Sequence, residues 1–172
     1  AEANNGKGIA GICPLCTLAN VRVDGTFVPR TEGVGIGAIW AADNGHEVIN
    51  MALGATSASS MTRAAFDYAT RKNVLALNAS ANEFSFHQNF QTVFDDVMAI
   101  GAVVPDNDLV QGNPSPLPTT TYLRKANFSN YGAHLDVVAP TDVITTGGGN
   151  GGYGDSSGTS SGARRRLAST RW

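Results

Sequence analysis

Residues 37–54 read GAIWAADNGHEVINMALG, and two different periods meet inside them. Ala38, Trp40, Ala41 and Ala42 have helical spacing, and Asn44-Gly45 is a usual helix C-terminus, because glycine accepts the left-handed backbone that closes the last turn. The run EVINMALG that follows reads as a strand. A helix feeding a buried strand is the unit predicted here, and it repeats. Ser60 can cap SMTRAAFDYATRKN at 60–73, whose Met61, Ala65, Phe66, Tyr68 and Ala69 share one face, and Asn73 leads into VLALNASA at 74–81. VMAIGAVV at 97–104 and LDVVAP at 135–140 are two further short apolar runs. Helices alternating with short, continuous apolar strands predict an α/β fold on a parallel sheet covered on both faces. In such sheets ligands bind beyond the carboxyl ends of the strands, which directs attention to 52–55, 78–83 and the loop after Pro140.

The chain has 172 residues, enough for one domain with a sizeable core. Twelve basic residues stand against 14 acidic ones, and charged residues make up only 15% of the chain. No broad cationic surface therefore argues for nucleic acid or an anionic membrane as partner. No apolar run reaches the roughly 18 residues of a spanning helix, and AEANNGKGIAG at the N-terminus has neither the basic start nor the apolar middle of a signal peptide.

The two cysteines, Cys13 and Cys16, form a single C-x-x-C. Zinc wants four ligands and there is no second pair, and a redox motif normally opens a helix. CTLANVRV, from Cys16 onward, instead reads as a strand with Thr17, Ala19, Val21 and Val23 alternating. A structural role, free or disulfide-bonded, is the preferred reading. Residues 105–125 carry four of the seven prolines and no clear period, which reads as a surface loop or insertion. Residues 147–162 are half glycine and by composition alone would be a linker.

The order of the blocks carries more than any one of them. GICPLCTLANVRV, AIWAADNGHEVINMALG, NVLALNASANE, VMAIGAVV, ANFSNYGAHLDVVAP and SSGTSSGA resemble successive segments of the subtilisin-like serine proteases, from about Asn4 to Ala163. The resemblance implies a three-layer, doubly wound α/β fold around a parallel sheet, incomplete at both ends. It implies a partial peptidase domain over 1–163 and a basic tail foreign to the family over 164–172. It also implies a polypeptide substrate, a monomer and an extracellular setting.

By the same resemblance Ser160 of Gly158-Thr159-Ser160 is the nucleophile, at a helix N-terminus whose free N–H groups and dipole favour developing negative charge. Asn82 matches the oxyanion-hole asparagine, although Ala81 stands where the family usually has glycine. Ala52, Leu53 and Gly54 would form an edge that pairs with peptide backbone, and Ala79, Ser80 and Ala81 the facing wall. Glu83 would sit at the pocket's rim, where it could favour basic side chains. Asn5 falls in a segment like the family's calcium loop, so structural calcium is a further expectation, although calcium needs six to eight oxygens. No cofactor is expected for the chemistry itself.

Two departures stand beside these matches. The family's Asp-Ser/Thr-Gly and His-Gly-Thr-His motifs do not occur in the 172 residues, and His46, His87 and His134 fall in segments that align with noncatalytic ones. Without a general base a serine hydroxyl is a poor nucleophile, so the expectation is a serine endopeptidase by family with little or no activity in this chain. A noncatalytic peptide-binding module is the alternative, and a nucleotide binder is disfavoured because GVGIG and GGGNGGYG lack the phosphate-loop pattern. After Ala163 the family continues as a buried apolar helix, whereas here Arg164, Arg165 and Arg166 follow. Three adjacent cations do not enter a core unpaired, so an exposed tail from a shifted frame or truncated gene is expected.

Overall fold

A computed structural model describes residues 5–25, 29–54, 57–104, 124–141, 143–146 and 152–169. Helix α1 spans Thr31–Asp43 and closes at Asn44, and Gly45 takes φ +73°, the left-handed turn read from the sequence. It begins well before Gly37, in TEGVGIG, where glycines normally argue against a helix. Packing overrides propensity there. A Cβ on Gly35 would meet Thr62 Cα at 3.3 Å and Ala65 Cβ at 3.4 Å, so glycine lets the two helices approach. Thr62 Oγ1 donates to Thr31 O at 2.8 Å across the same contact.

Helix α2 spans Ser60–Arg71, and its N-cap is Ser59, not the expected Ser60: extended Ser59 accepts the Thr62 N–H on its Oγ at 3.1 Å. Ala65, Phe66 and Ala69 are buried as the pattern implied. Met61 and Trp40, placed on apolar faces by spacing, are 42% and 43% exposed; one lies in the first turn of α2 and the other stacks on His46.

Strands β1 (Val48–Met51), β2 (Leu75–Ala79), β3 (Val97–Val104) and β5 (Val137–Pro140) build the parallel core, with β1 on β2, β2 on β3 and β3 on β5. The short β4, Arg124–Lys125, adds antiparallel to Val103 and Val104, so the end of the predicted 105–125 loop is sheet; residues 105–123 lie outside the described ones. Alternation along the strands splits the core into two layers. Ala76 and Val97 face α1 and α2 with Val34, Ala38, Ala65, Phe66 and Phe94. Leu77 and Ile100 face the other way, onto Ala139 and Ala163 of the last helix. The result is the expected three-layer, mostly parallel α/β arrangement.

Residues 17–23 are not the predicted strand: no ladder pairs them among the described residues. Leu18 is 82% exposed, and a groove of about 910 Å³ separates this stretch from β1. An alternating pattern makes a strand only when a neighbouring strand satisfies its amides. Cys13 and Cys16 are joined as a disulfide, the structural role preferred above.

Strand β6 (Val143–Thr146) pairs antiparallel with β7 (Tyr153–Ser156), and β7 lies inside the Gly-Ser stretch 147–162 that looked like a linker. Helix α3 follows at Thr159–Ser169. It runs through Ala163, which is wholly buried, into the arginines, where Arg164 is exposed. The chain beyond Ala163 thus continues the helix rather than leaving it as a tail, up to Ser169; residues 170–172 lie outside the described ones.

Candidate active site

Gly158, between β7 and α3, takes φ +101°, a conformation that only glycine adopts readily. Its carbonyl is anchored from two sides, by Thr141 Oγ1 at 3.0 Å and the Ser161 N–H at 3.0 Å. This turn opens α3 and places Ser160 in its first turn. Three neighbouring serines that the sequence could not rank by chemistry differ sharply here. Ser161 is 4% exposed, its Oγ paired with Ser156 Oγ at 2.7 Å and donating to Ser157 O at 3.2 Å. Ser157 is exposed and precedes the helix. Ser160 is half-buried, and its Oγ has no hydrogen-bond partner among the described residues.

Asn82 reaches this turn from the far end of β2. Its Oδ1 accepts from Thr159 N at 2.9 Å and Thr159 Oγ1 at 3.0 Å, across 77 residues of sequence. That orientation turns Nδ2 toward Gly158, where an added Cβ would stand 3.3 Å from it. Nδ2 then keeps its donors free of protein partners among the described residues, beside the N-terminus of α3. Ala81, just before it, holds φ +82°, the conformation glycine favours.

The two predicted substrate walls are positioned unequally. Ala52 and Leu53 are half-buried and Gly54 is exposed at the carboxyl end of β1, while residues 55 and 56 lie outside the described ones. Ala79 and Ser80 are 3% and 0% exposed, so they offer backbone rather than side chains to a ligand; Ala81 is half-buried.

Two buried asparagines organise this region, and the sequence reading passed over both. Asn89 Nδ2 donates to Leu53 O at 3.0 Å and Ala79 O at 2.9 Å, linking one wall to the other. Asn130 Oδ1 accepts from Glu83 N and Ser85 N at 3.0 and 3.2 Å, and its Nδ2 donates to His87 O at 3.0 Å and Glu83 Oε2 at 3.3 Å. Loop asparagines read as turn formers. The available signal is the apolar surround, NF-x-x-VF for Asn89 and NF-x-NY for Asn130.

The sequence model of the subtilase family matches residues 1–163. The chain belongs to the subtilase family. It is 35% identical over 162 residues to the alkaline elastase YaB of Bacillus sp. (strain YaB), covering 93% of this chain and 38% of that protein. With subtilisin Savinase of Lederbergia lenta it shares 32% over 141 residues, 81% of this chain and 46% of the relative. With thermitase of Thermoactinomyces vulgaris it shares 31% over 161 residues, 93% and 52% of the two chains. This subtilase chain therefore spans between about a third and a half of the length of these relatives. Among solved structures, a lanthipeptide protease superposes with a TM-score of 0.71 at 20% identity, covering 91% of this chain and 55% of that one. Sphericase follows the same fold with a TM-score of 0.64 at 21% identity, over 81% and 48%.

The three histidines of the chain differ in their surroundings, and the buried Nε2 of His134 has no hydrogen-bond partner among the described residues. His46 stacks on Trp40. His87 Nδ1 lies 2.7 Å from Glu83 Oε2, a contact within one exposed loop. His134 packs beside Gly132, and its pKa is lowered by burial and by His87, against a smaller opposing pull from Asp136. Among the described residues, no histidine is hydrogen-bonded to a serine of 156–161. Near Glu83, Lys125 Nζ stands 4.5 Å from the Phe84 ring and 5.3 Å from that of Tyr131, its pKa lowered by burial.

Asn5 Oδ1 accepts the Lys7 N–H at 3.0 Å on an exposed turn. Among the described residues, no three His, Cys, Asp or Glu side chains cluster in metal-binding reach. Residues 1–4 of the expected calcium loop lie outside the described ones.

Proposed function

We propose that this chain carries the nucleophile and oxyanion side of a serine endopeptidase site. Ser160 Oγ is the attacking atom, and the Ser160 N–H together with Asn82 Nδ2 receives the oxyanion of the tetrahedral intermediate. The substrate is a polypeptide that lies along Ala52, Leu53 and Gly54, with Ala79, Ser80, Ala81 and Asn82 opposite. The observation that carries this reading is Asn82. Its Oδ1 is held by Thr159 N and Oγ1, which leaves the donor end of the amide beside the Gly158 turn that opens α3, where Ser160 in the first helical turn has an unengaged Oγ while Ser156 and Ser161 pair with each other. Preorganised donors of this kind usually contribute the largest single share of acyl-transfer catalysis.

Proton removal from Ser160 needs a base that the three histidines of the chain do not supply in this arrangement, so the chain alone is proposed to bind peptide without turning it over. A noncatalytic peptide-binding role is the second reading, favoured by the same missing base. The disulfide and the family membership support an extracellular location. A fluorogenic casein assay on the whole chain tests the proposal. No turnover that depends on Ser160 is expected; turnover that disappears in Ser160→Ala would show that the chain makes its own base and would overturn the inactive state.

A further inference from the structure

Asn89 is 5% exposed and uses its whole carboxamide. One end donates twice, to Leu53 O and Ala79 O, carbonyls 36 and 10 residues away in sequence. The other end, Oδ1, accepts the Phe90 N–H at 2.9 Å and so caps the short 3-10 turn Phe90–Val93. Ala79 ends β2 and Leu53 lies two residues beyond the end of β1, both at the carboxyl end of the sheet, where ligands bind in such folds. A planar amide of fixed width with a hydrogen bond of about 3 Å on each side is a spacer. Gly54 presses on it from the edge, since a Cβ there would come within 3.1 Å of Asn89 Oδ1.

We propose that Asn89 is a positioning residue that sets the separation of the 52–54 edge and the 79–82 wall, and through it the size of peptide side chain the cleft accepts. The proposal rests on the reading of those two stretches as substrate walls. It differs from a helix-cap role in one respect that chemistry can isolate. Aspartate keeps an oxygen for the Phe90 N–H but has no hydrogen to donate to either carbonyl.

The test uses the whole chain and two fluorescein-labelled pentapeptides, five alanines and four alanines followed by phenylalanine. Asn89→Asp is expected to change the ratio of their affinities by about tenfold, the discrimination that a methylene's worth of pocket fit carries. Gly54→Ala, which pushes the same amide from the other side without removing a hydrogen bond, is expected to move the ratio as well. Nitroxides on Ser57→Cys and Phe86→Cys, a few residues beyond the two walls, report a change in their spacing, and the two native cysteines are tied in their disulfide. One narrow distance distribution is expected in the parent and a shifted or broadened one in Asn89→Asp. If the parent binds neither peptide, the reading of the walls fails while the nitroxide distances still judge the spacer. Distances unchanged in both Asn89→Asp and Gly54→Ala, or an affinity ratio unchanged in both, overturn the proposal.

Discussion

Replacing Ala81 by glycine should stabilise this protein, an unusual direction for a change that removes a methyl. Ala81 holds φ +82°. An L-residue in the left-handed region costs about 1–2 kcal/mol, whereas glycine in a fixed conformation gives back about 0.5–1 kcal/mol in chain entropy. The difference is a gain on the order of 0.5–1 kcal/mol, the size expected when a substitution relieves the native backbone against a change in the unfolded ensemble. At roughly 2–4 °C per kcal/mol for a chain of this size, Ala81→Gly should raise the melting temperature by about 1–4 °C. Asn73 supplies the control. It holds φ +61°, but asparagine tolerates that region through local hydrogen bonding, so Asn73→Gly should give little or nothing. Parallel urea titrations of the three proteins decide the matter. An Ala81→Gly chain no more stable than its parent, or an Asn73→Gly chain that gains as much, would refute the argument that strain at the residue before Asn82 is stored in the native fold.

Two further substitutions follow from the same region. Asn130→Ala removes the partner of two backbone N–H groups and of His87 O and Glu83 Oε2 in a fully buried place, so urea unfolding should show a loss of about 2–4 kcal/mol. His134 has a lowered pKa in the folded chain, caused first by burial and then by His87. The unfolded state therefore takes up its proton first as pH falls, and this residue's contribution is full above about pH 6.5 and declines below it. His134→Gln should flatten the decline in unfolding midpoint on the acid side of that value.

The strands were the legible part of this fold, and the reason is physical. β3 occupies the whole run Val97–Val104, because a strand buried on both faces has to be continuously apolar and little else in a chain of this composition is. Helix α1 was legible only from its end. Asn44-Gly45 marks a local backbone need, whereas its first turns are held by contact of Thr31 and Gly35 with Thr62 and Ala65, and of Gly33 with Val23, partners that no window of α1 contains. The stretch 17–23 failed for the converse reason: its alternation is local, but a ladder needs a second strand.

At the site, the motif singled out Ser160 and the structure adds a chemical reason, since Ser161 is occupied by Ser156 and Ser157 O. Asn89 and Asn130 were passed over because, beyond their apolar surround, what distinguishes them is burial between segments distant in sequence. The arginines after Ala163 were read from charge alone, and charge does not reveal that the helix that buries Ala163 runs on through an exposed Arg164.

The central claim is that Ser160 and Asn82 form one nucleophile and oxyanion pair, and a peptide boronic acid tests it without requiring a general base for turnover. Boron that adds to a serine Oγ becomes tetrahedral and mimics the intermediate, and ¹¹B NMR reports the change. The parent and Ser157→Ala should both give the tetrahedral signal, Ser160→Ala should lose it, and Asn82→Ala should weaken binding by about 10²-fold or more, in line with the effect of deleting the corresponding donor in subtilisin, a relative of this chain. A tetrahedral adduct that survives in Ser160→Ala, or is indifferent to Asn82→Ala, would contradict the account.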